Sequence, residues 1–120
     1  MANPIITVNV TSGTTAPLLI SDDEGHSSTT AAGDTNLTTT VDQNDLVTWN
    51  IEPGSTITSI RIVEKEGSEN LFDPDPTGNA DNTIWTGTIG SKASKTVESY
   101  TIFYTIGGTE YSQDPRLQMN

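Results

Sequence analysis

The stretch ESYTIFYTI, residues 98–106, carries the strongest structural pattern in the chain. Tyr100, Ile102, Tyr104 and Ile106 fall on one side of an extended chain, because successive side chains of a strand point to opposite faces. β-Branched and aromatic residues fill the run without helical spacing. The pattern therefore predicts a central β-strand with one face in a hydrophobic core.

This strand runs into Gly107 and Gly108, a two-residue connection typical of tight β-hairpins, whose turns require positive φ. A hairpin closed by the two glycines predicts three cross-strand pairs: Ile106 with Thr109, Tyr104 with Tyr111, and Ile102 with Gln113. Pro115 should then interrupt the pairing, because proline lacks the N–H that a strand needs. The following RLQM, residues 116–119, is expected to start a last short strand.

The composition points to an all-β domain. Only 32% of the 120 residues are hydrophobic, whereas 21 are threonine, which favours strands. Alternating segments separated by turn residues predict a single domain, residues 1–120, folded as a two-sheet Greek-key β-sandwich of about eight strands without a helix. Trp49 is the expected core anchor, since tryptophan buries more area than other residues. Residues 21–35 and 64–82 are expected to be mobile loops, with Leu71 and Phe72 tucked in.

The charge excludes several classes of partner. Sixteen acidic residues against five basic ones give a net charge of −11, which would repel nucleic acid and anionic membranes. No apolar run approaches the length of a membrane span. The N-terminus lacks the features of a signal peptide, so a cytoplasmic location is expected, although a secreted mature fragment with an added initiator Met would look the same.

Two segments resemble cupredoxin-like β-sandwiches, which share their architecture with immunoglobulin-like domains. QNDLVTWN, residues 43–50, is similar to the strand that carries a V-x-W pattern, and SYTIFYTIGGTEY, residues 99–111, is similar to their late strand. The resemblance covers residues 42–120. Family members with type 1 copper use histidines, a cysteine and often a methionine. This chain has no cysteine, His26 lies outside the matching region, and Met119 follows the hairpin, so the resemblance implies a copper-free member.

The segment DPDPTGNADNTI, residues 73–84, is similar to the EF-hand pattern D-x-[DN]-x-[DN]-G. The residues in liganding register are Asp73, Asp75, Thr77, Asn79 and Asp81. Calcium accepts six to eight oxygen ligands in flexible geometry, which makes this set a candidate calcium site. Ile84 stands where the pattern needs a bidentate Glu. A solvated turn segment is the alternative, and the residue types favour it.

The remaining chemistry-bearing residues are few. Asp22, Asp23, Glu24 and His26 could chelate a metal weakly, although a solvated loop explains them more simply. With one histidine, no cysteine and no expected aromatic-lined surface, the sequence predicts neither an enzyme nor a cofactor, calcium apart.

The first functional hypothesis is accordingly a non-catalytic structural or protein-interaction subunit. We expect it to bind itself or other proteins as a homo-oligomer, through its terminal strands or sheet edges. The segments concerned are ITVNV, residues 6–10, and RLQM, residues 116–119. The alternative hypothesis is a calcium-dependent binding or adhesion module that uses residues 73–81.

Overall fold

The computed structural model describes residues 3–120, which form eleven strands and one short helix. In chain order the elements are β1 Ile5–Asn9, β2 Leu19–Asp22, β3 Ser27–Ser28, α1 Ala31–Asn36, β4 Thr38–Val41, β5 Leu46–Ile51, β6 Ser59–Glu64, β7 Thr77–Gly78, β8 Ile84–Thr88, β9 Val97–Ile106, β10 Thr109–Gln113 and β11 Arg116–Met119. The strands outnumber the predicted eight partly because β3 and β7 have two residues each, too few to show a period.

Two mixed sheets pack face to face, which confirms the all-β sandwich. The six-stranded sheet has the order β3-β2-β1-β5-β8-β7, with β1 and β5 parallel. In the five-stranded sheet, β9 pairs with β6 on one side and with β10 and then β11 on the other, and β4 lies parallel to β11. The Greek-key order of the connections stays a prediction.

The β9–β10 hairpin forms as the sequence predicts. Gly107 and Gly108 have φ angles of 58° and 83°, the positive values that a type I′ turn requires at both central positions. The predicted register is confirmed in all three pairs: Ile106 with Thr109, Tyr104 with Tyr111, and Ile102 with Gln113. The rings of Tyr104 and Tyr111 lie 5.6 Å apart. Turn chemistry and alternation were therefore sufficient to place this hairpin.

Trp49 is the core anchor that the sequence predicts. Its side chain on β5 is fully buried, and its ring centroid lies 5.6 Å from those of both Phe72 and Tyr100. Its Nε1 donates a hydrogen bond of 3.1 Å to the Tyr100 hydroxyl on β9. Because β5 and β9 belong to different sheets, this bond joins the two layers through the core.

Residues 21–35, predicted to form a mobile surface loop, contain regular structure, whereas their mobility stays a prediction. The segment contains the end of β2, the strand β3 and nearly all of α1. Thr30 caps the helix by accepting a hydrogen bond from the Gly33 N–H, as threonine does at N-caps. A six-residue helix is too short to show the apolar period by which helices are recognised. No helix within residues 3–120 is long and apolar enough to cross a membrane.

Residues 64–82, predicted to form a mobile loop, contain the end of β6 and the whole of β7. β6 extends to Glu64, and β7 pairs with β8 through Thr77 and Gly78. Leu71 and Phe72 are buried, as predicted. Phe72 forms an isolated bridge with Ile89, which fastens this segment to the end of β8.

Candidate functional site

The predicted calcium ligands lie along an exposed segment that β7 divides: Asp73 and Asp75 precede it, Thr77 belongs to it, and Asn79 and Asp81 follow it. Two of the carboxylates already have protein partners. Asp75 Oδ1 accepts from Asn70 Nδ2 at 2.7 Å, and Asp81 Oδ1 accepts from Thr83 Oγ1 at 2.8 Å. Within residues 3–120, no three acidic groups of this segment lie within 4.8 Å of one another. The calcium site stays a prediction, and the fold does not gather its aspartates.

The side chains of Asp22, Glu24 and His26 do converge, at the turn between β2 and β3. Asp22 Oδ1 accepts from the N–H groups of Glu24 and His26, and its Oδ2 accepts from Thr39 Oγ1 and lies 2.8 Å from His26 Nδ1. Glu24 Oε1 accepts from the Thr40 N–H on β4. The cluster therefore joins the six-stranded sheet to β4 of the other sheet.

These hydrogen bonds leave little free acceptor capacity for a metal. Burial acts to raise the pKa of Asp22, but the hydrogen bonds from Thr39, His26 and Glu24 outweigh it and leave that pKa below its ordinary value. Burial raises the pKa of Glu24. These hydrogen bonds hold the turn between β2 and β3 against β4. The sequence predicts a solvated loop here and gives no sign of these contacts.

A cavity of about 360 Å³ is lined by residues of β6, β8 and β9 and of the segment 70–76. Among its lining residues are three aromatic and three acidic ones: Phe72, Trp85, Tyr100, Glu64, Asp75 and Glu98. We call it the Glu98 cavity. The sequence-based expectation of no aromatic-lined surface was therefore wrong, because the rings come from three separate segments of the chain.

Two glycines make room for the aromatic walls of this cavity. A Cβ atom at Gly87 would lie 2.7 Å from Phe72 Cδ1, and one at Gly78 would lie 2.6 Å from Trp85 Nε1. Real Cβ atoms essentially never come this close to another heavy atom. Gly87 pairs in register with Val47, so the close approach of Phe72 occurs at a regular position of the β5–β8 ladder. Only glycine at these positions lets the rings rest against the backbone.

Glu98 is the most unusual residue of the cavity, since a carboxyl group is rarely buried without a countercharge. Glu98 is only 1% exposed, and its Oε1 accepts a hydrogen bond of 2.8 Å from the Leu71 N–H. Burial raises its pKa to about 7, and the nearby charges of Glu64 and Asp75 act in the same direction. Asn70 Nδ2 donates to both of these acids, at 3.3 Å to Glu64 and 2.7 Å to Asp75. The cavity thus holds a carboxyl group that titrates near neutral pH.

The sequence held one signal for Glu98 that the pattern analysis did not use. Glu98 has the same parity as Tyr100 and Ile102, so alternation alone places it on the inner face of β9. An acid at an inward position of a central strand is a candidate functional residue. Its neighbours in the cavity could not be found this way, because they depend on how distant segments pack.

The outer face of the six-stranded sheet has an unusual composition. Its outward-facing residues are Ile5, Thr7, Asn9, Leu19, Ser21, Ser27, Leu46, Thr48, Asn50, Thr77, Ile84, Thr86 and Thr88. None of them is charged, and we call this surface the uncharged face. Ile5, Leu46 and Ile84 are 45%, 44% and 45% exposed, three of the four most exposed large apolar residues. Two acids, Asp23 and Glu52, lie just beyond the ends of β2 and β5.

The outer face of the five-stranded sheet, in contrast, carries charged residues. Arg61 Nη2 on β6 lies 3.0 Å from Glu110 Oε1 on β10, and Lys65 Nζ lies 3.1 Å from Asp114 Oδ2. The Arg61 guanidinium also lies 4.1 Å from the ring centroid of Phe103 on β9. These four charged groups therefore have partners within the chain.

A family model described as a domain of unknown function (DUF8788) matches residues 5–112, and the chain belongs to this family. The match runs from β1 into β10 and includes the Glu98 cavity and the uncharged face. No curated protein matches the chain. The resemblance to cupredoxin-like sandwiches stays a prediction.

Proposed function

We propose that this protein is a non-catalytic structural or interaction subunit that binds a second copy of itself through the uncharged face. The observation that carries the proposal is the absence of charge among the outward residues of that sheet, in a chain whose net charge is −11. The centres of protein interfaces are depleted of charged residues, and exposed apolar groups that share one surface mark interaction sites. Ile5, Leu46 and Ile84 supply such groups here.

The sheet edges are less suited to assembly than this face. β3 and β7, the edges of the six-stranded sheet, have two residues each, and very short edge strands discourage pairing with another chain. On the edge strand β4, the Thr40 N–H donates to Glu24 Oε1. On the edge strand β6, the Ile60 N–H donates to the Asn82 carbonyl at 2.8 Å. The chain therefore covers part of its own edges.

The expectation that the terminal strands add to another copy stays a prediction, and the pairings of these strands within the chain do not favour it. β1 pairs with β2 on one side and β5 on the other, and β11 lies between β4 and β9. Neither strand has a free backbone edge to offer. Addition of either terminal strand to another copy would require one of these pairings to break.

A second copy is the partner that the charges favour. Two chains of charge −11 repel one another, and an isologous contact places each surface patch against its own image, so an acidic patch would meet an acidic patch. The uncharged face avoids this repulsion. Its four longer strands, about 4.8 Å apart and about five residues long, give a patch of roughly 20 by 17 Å. The area of this patch is smaller than the roughly 800 Å² that each partner buries in a stable complex. We therefore expect a weak, reversible dimer.

Sedimentation velocity from tens of micromolar to millimolar protein tests this proposal, with a matched pair of variants. Thr48 lies at the middle of the face, paired with Ile5 and Thr86 across the neighbouring strands. Thr48→Glu places like charges opposite each other in an isologous dimer and should abolish association. Ser112→Glu adds the same charge to β10, whose exposed Ser112 faces away from the core on the other sheet, and should leave association nearly unchanged.

Salt provides a further check, since screening lowers the repulsion between the two acidic chains and should strengthen the dimer. Circular dichroism of both variants establishes that they keep the fold. The proposal is overturned if the protein stays monomeric at millimolar concentration in high salt, or if Ser112→Glu disrupts association as much as Thr48→Glu.

A further inference from the structure

We propose that the Glu98 cavity binds an organic cation, a primary ammonium or guanidinium group carried on an apolar stem. Carboxyl groups of Glu64, Asp75 and Glu98 and the rings of Phe72 and Trp85 line the same cavity. Carboxylates attract the cation, and aromatic faces attract both a cation and its apolar stem. The inference is independent of the proposed dimer, which uses the outward side of the six-stranded sheet.

Glu98 supplies the acceptor for such a cation. Oε1 is occupied by the Leu71 N–H, whereas Oε2 has no hydrogen-bond partner among residues 3–120. Oε2 is not one of the enclosed polar atoms that lack a partner, so it stays accessible although Glu98 as a whole is 1% exposed. A ligand N–H donor that reaches Oε2 would form a charge-assisted hydrogen bond with it when Glu98 is ionised.

Among residues 3–120, Arg61 is the only basic residue of the cavity lining. Arg61 contributes to the lining, but its guanidinium pairs with Glu110 and lies over the Phe103 ring on the outer face of the five-stranded sheet. Asn70 bridges Glu64 and Asp75 with an amide group, which carries no charge. The negative charge of the cavity therefore remains available to a ligand.

The spacing of the acids favours an organic cation over a metal ion. A metal needs several ligand atoms around one point, and within the described residues only Asp22, Glu24 and His26 form a group with all ligand atoms within 4.8 Å. The three acids of the Glu98 cavity do not converge in that way. Acids that do not surround one point, in a cavity that aromatic residues also line, suit an organic ligand, and about 360 Å³ falls in the range of small-molecule pockets.

Benzylammonium is the first probe, with benzyl alcohol and benzoate as neutral and anionic controls of nearly equal size. Heteronuclear NMR follows the indole N–H of Trp85, and we expect benzylammonium to bind at least about tenfold more tightly than benzyl alcohol, as one desolvated ion pair predicts. Equal binding of the ammonium and the alcohol would overturn the proposal.

Glu98→Gln, measured at about pH 8 where the Glu98 carboxyl group is mostly ionised, is the decisive variant, because glutamine keeps an acceptor for the Leu71 N–H and removes the charge. Glu66→Gln removes the same charge from an exposed residue outside the cavity lining and serves as the matched control. We expect about a tenfold loss of benzylammonium affinity in Glu98→Gln and almost none in Glu66→Gln. If Glu98→Gln fails to fold, Asp75→Asn, at an exposed position, replaces it. Equal affinity in the cavity variant and the control would overturn the proposal.

Two further titrations distinguish the source of the cation. Free 1,5-diaminopentane represents a small amine, and a blocked tripeptide with a central lysine represents a side chain of another protein. Tighter binding of the diamine supports a small-molecule site, and tighter binding of the peptide supports a lysine-reading site. Failure of both, and of benzylammonium, to bind in the millimolar range would overturn the proposal.

Discussion

The two outer faces of this sandwich cover the same core but differ in how they meet solvent. On the five-stranded sheet, Arg61 and Lys65 pair with Glu110 and Asp114. On the six-stranded sheet, threonine, asparagine and serine alternate with exposed apolar side chains, and no outward residue of a strand is charged. A surface whose charged groups are already paired has little left to offer a partner, whereas an uncharged one gains by being covered. The difference teaches that the two layers of one sandwich can have separate roles.

The contrast between the two outer faces would have another cause if the six-stranded sheet were the less stable layer. Trp49→Ala tests this. Trp49 packs from β5 against Phe72 and Tyr100 and is fully buried, so we expect a loss of about 3–5 kcal/mol in the free energy of unfolding. Tyr111→Ala, on the inner side of the half-buried edge strand β10, should cost less. Urea unfolding measures both.

A larger loss for Tyr111→Ala than for Trp49→Ala would contradict this prediction. It would mean that the five-stranded sheet carries the better packed part of the core. The uncharged face would then belong to a poorly anchored layer, and its composition would need another explanation.

The second prediction concerns Glu98, which lies on the inner face of its sheet and, among residues 3–120, forms no ion pair, unlike the ion-paired acids of the outer face. Burial raises the pKa of Glu98 to about 7, above its ordinary value, so the folded state holds a proton that the unfolded state loses. The resulting stability is complete below the unfolded pKa and is lost as pH rises through about 7. One pKa unit corresponds to about 1.4 kcal/mol, so the protein should lose about 2 kcal/mol at Glu98 between pH 5.5 and 8.

Urea midpoints of the protein and of Glu98→Gln at both pH values measure this loss, because the variant removes only the Glu98 contribution. The urea midpoint of the unmodified protein should fall relative to that of Glu98→Gln as the pH rises. Asp34 should add to the trend in both proteins, since burial raises its pKa to about 6 and only a hydrogen bond from Ser28 acts in the other direction. A constant difference between the two proteins from pH 5.5 to 8 would contradict the prediction.

Local chemistry made part of this structure predictable. The alternation in residues 98–106, the Gly107–Gly108 turn and the burial of Trp49 depend on neighbours in sequence, and all were confirmed. The Glu98 cavity needs Phe72 to rest on Gly87, a contact between segments that no local period encodes. The uncharged face is intermediate, because alternation gives the outward residues of each strand, but only the order β2-β1-β5-β8 makes them one surface.

The smallest expected effect concerns the ion pair between Arg61 and Glu110. Their side chains are 48% and 43% exposed, and exposed pairs typically contribute less than about 1 kcal/mol because water screens them and ordering two side chains costs entropy. The Phe103 ring under Arg61 adds about 0.5–1 kcal/mol that does not depend on Glu110. A double-mutant cycle of Arg61→Ala and Glu110→Ala, followed by urea unfolding at low and high salt, should therefore give a coupling below about 1 kcal/mol that shrinks with salt. Neither variant should change self-association, since both lie on the sheet opposite the uncharged face. A coupling that is large and independent of salt would show that the ion pair is shielded from solvent, and a loss of the dimer in either variant would move the contact surface to the five-stranded sheet.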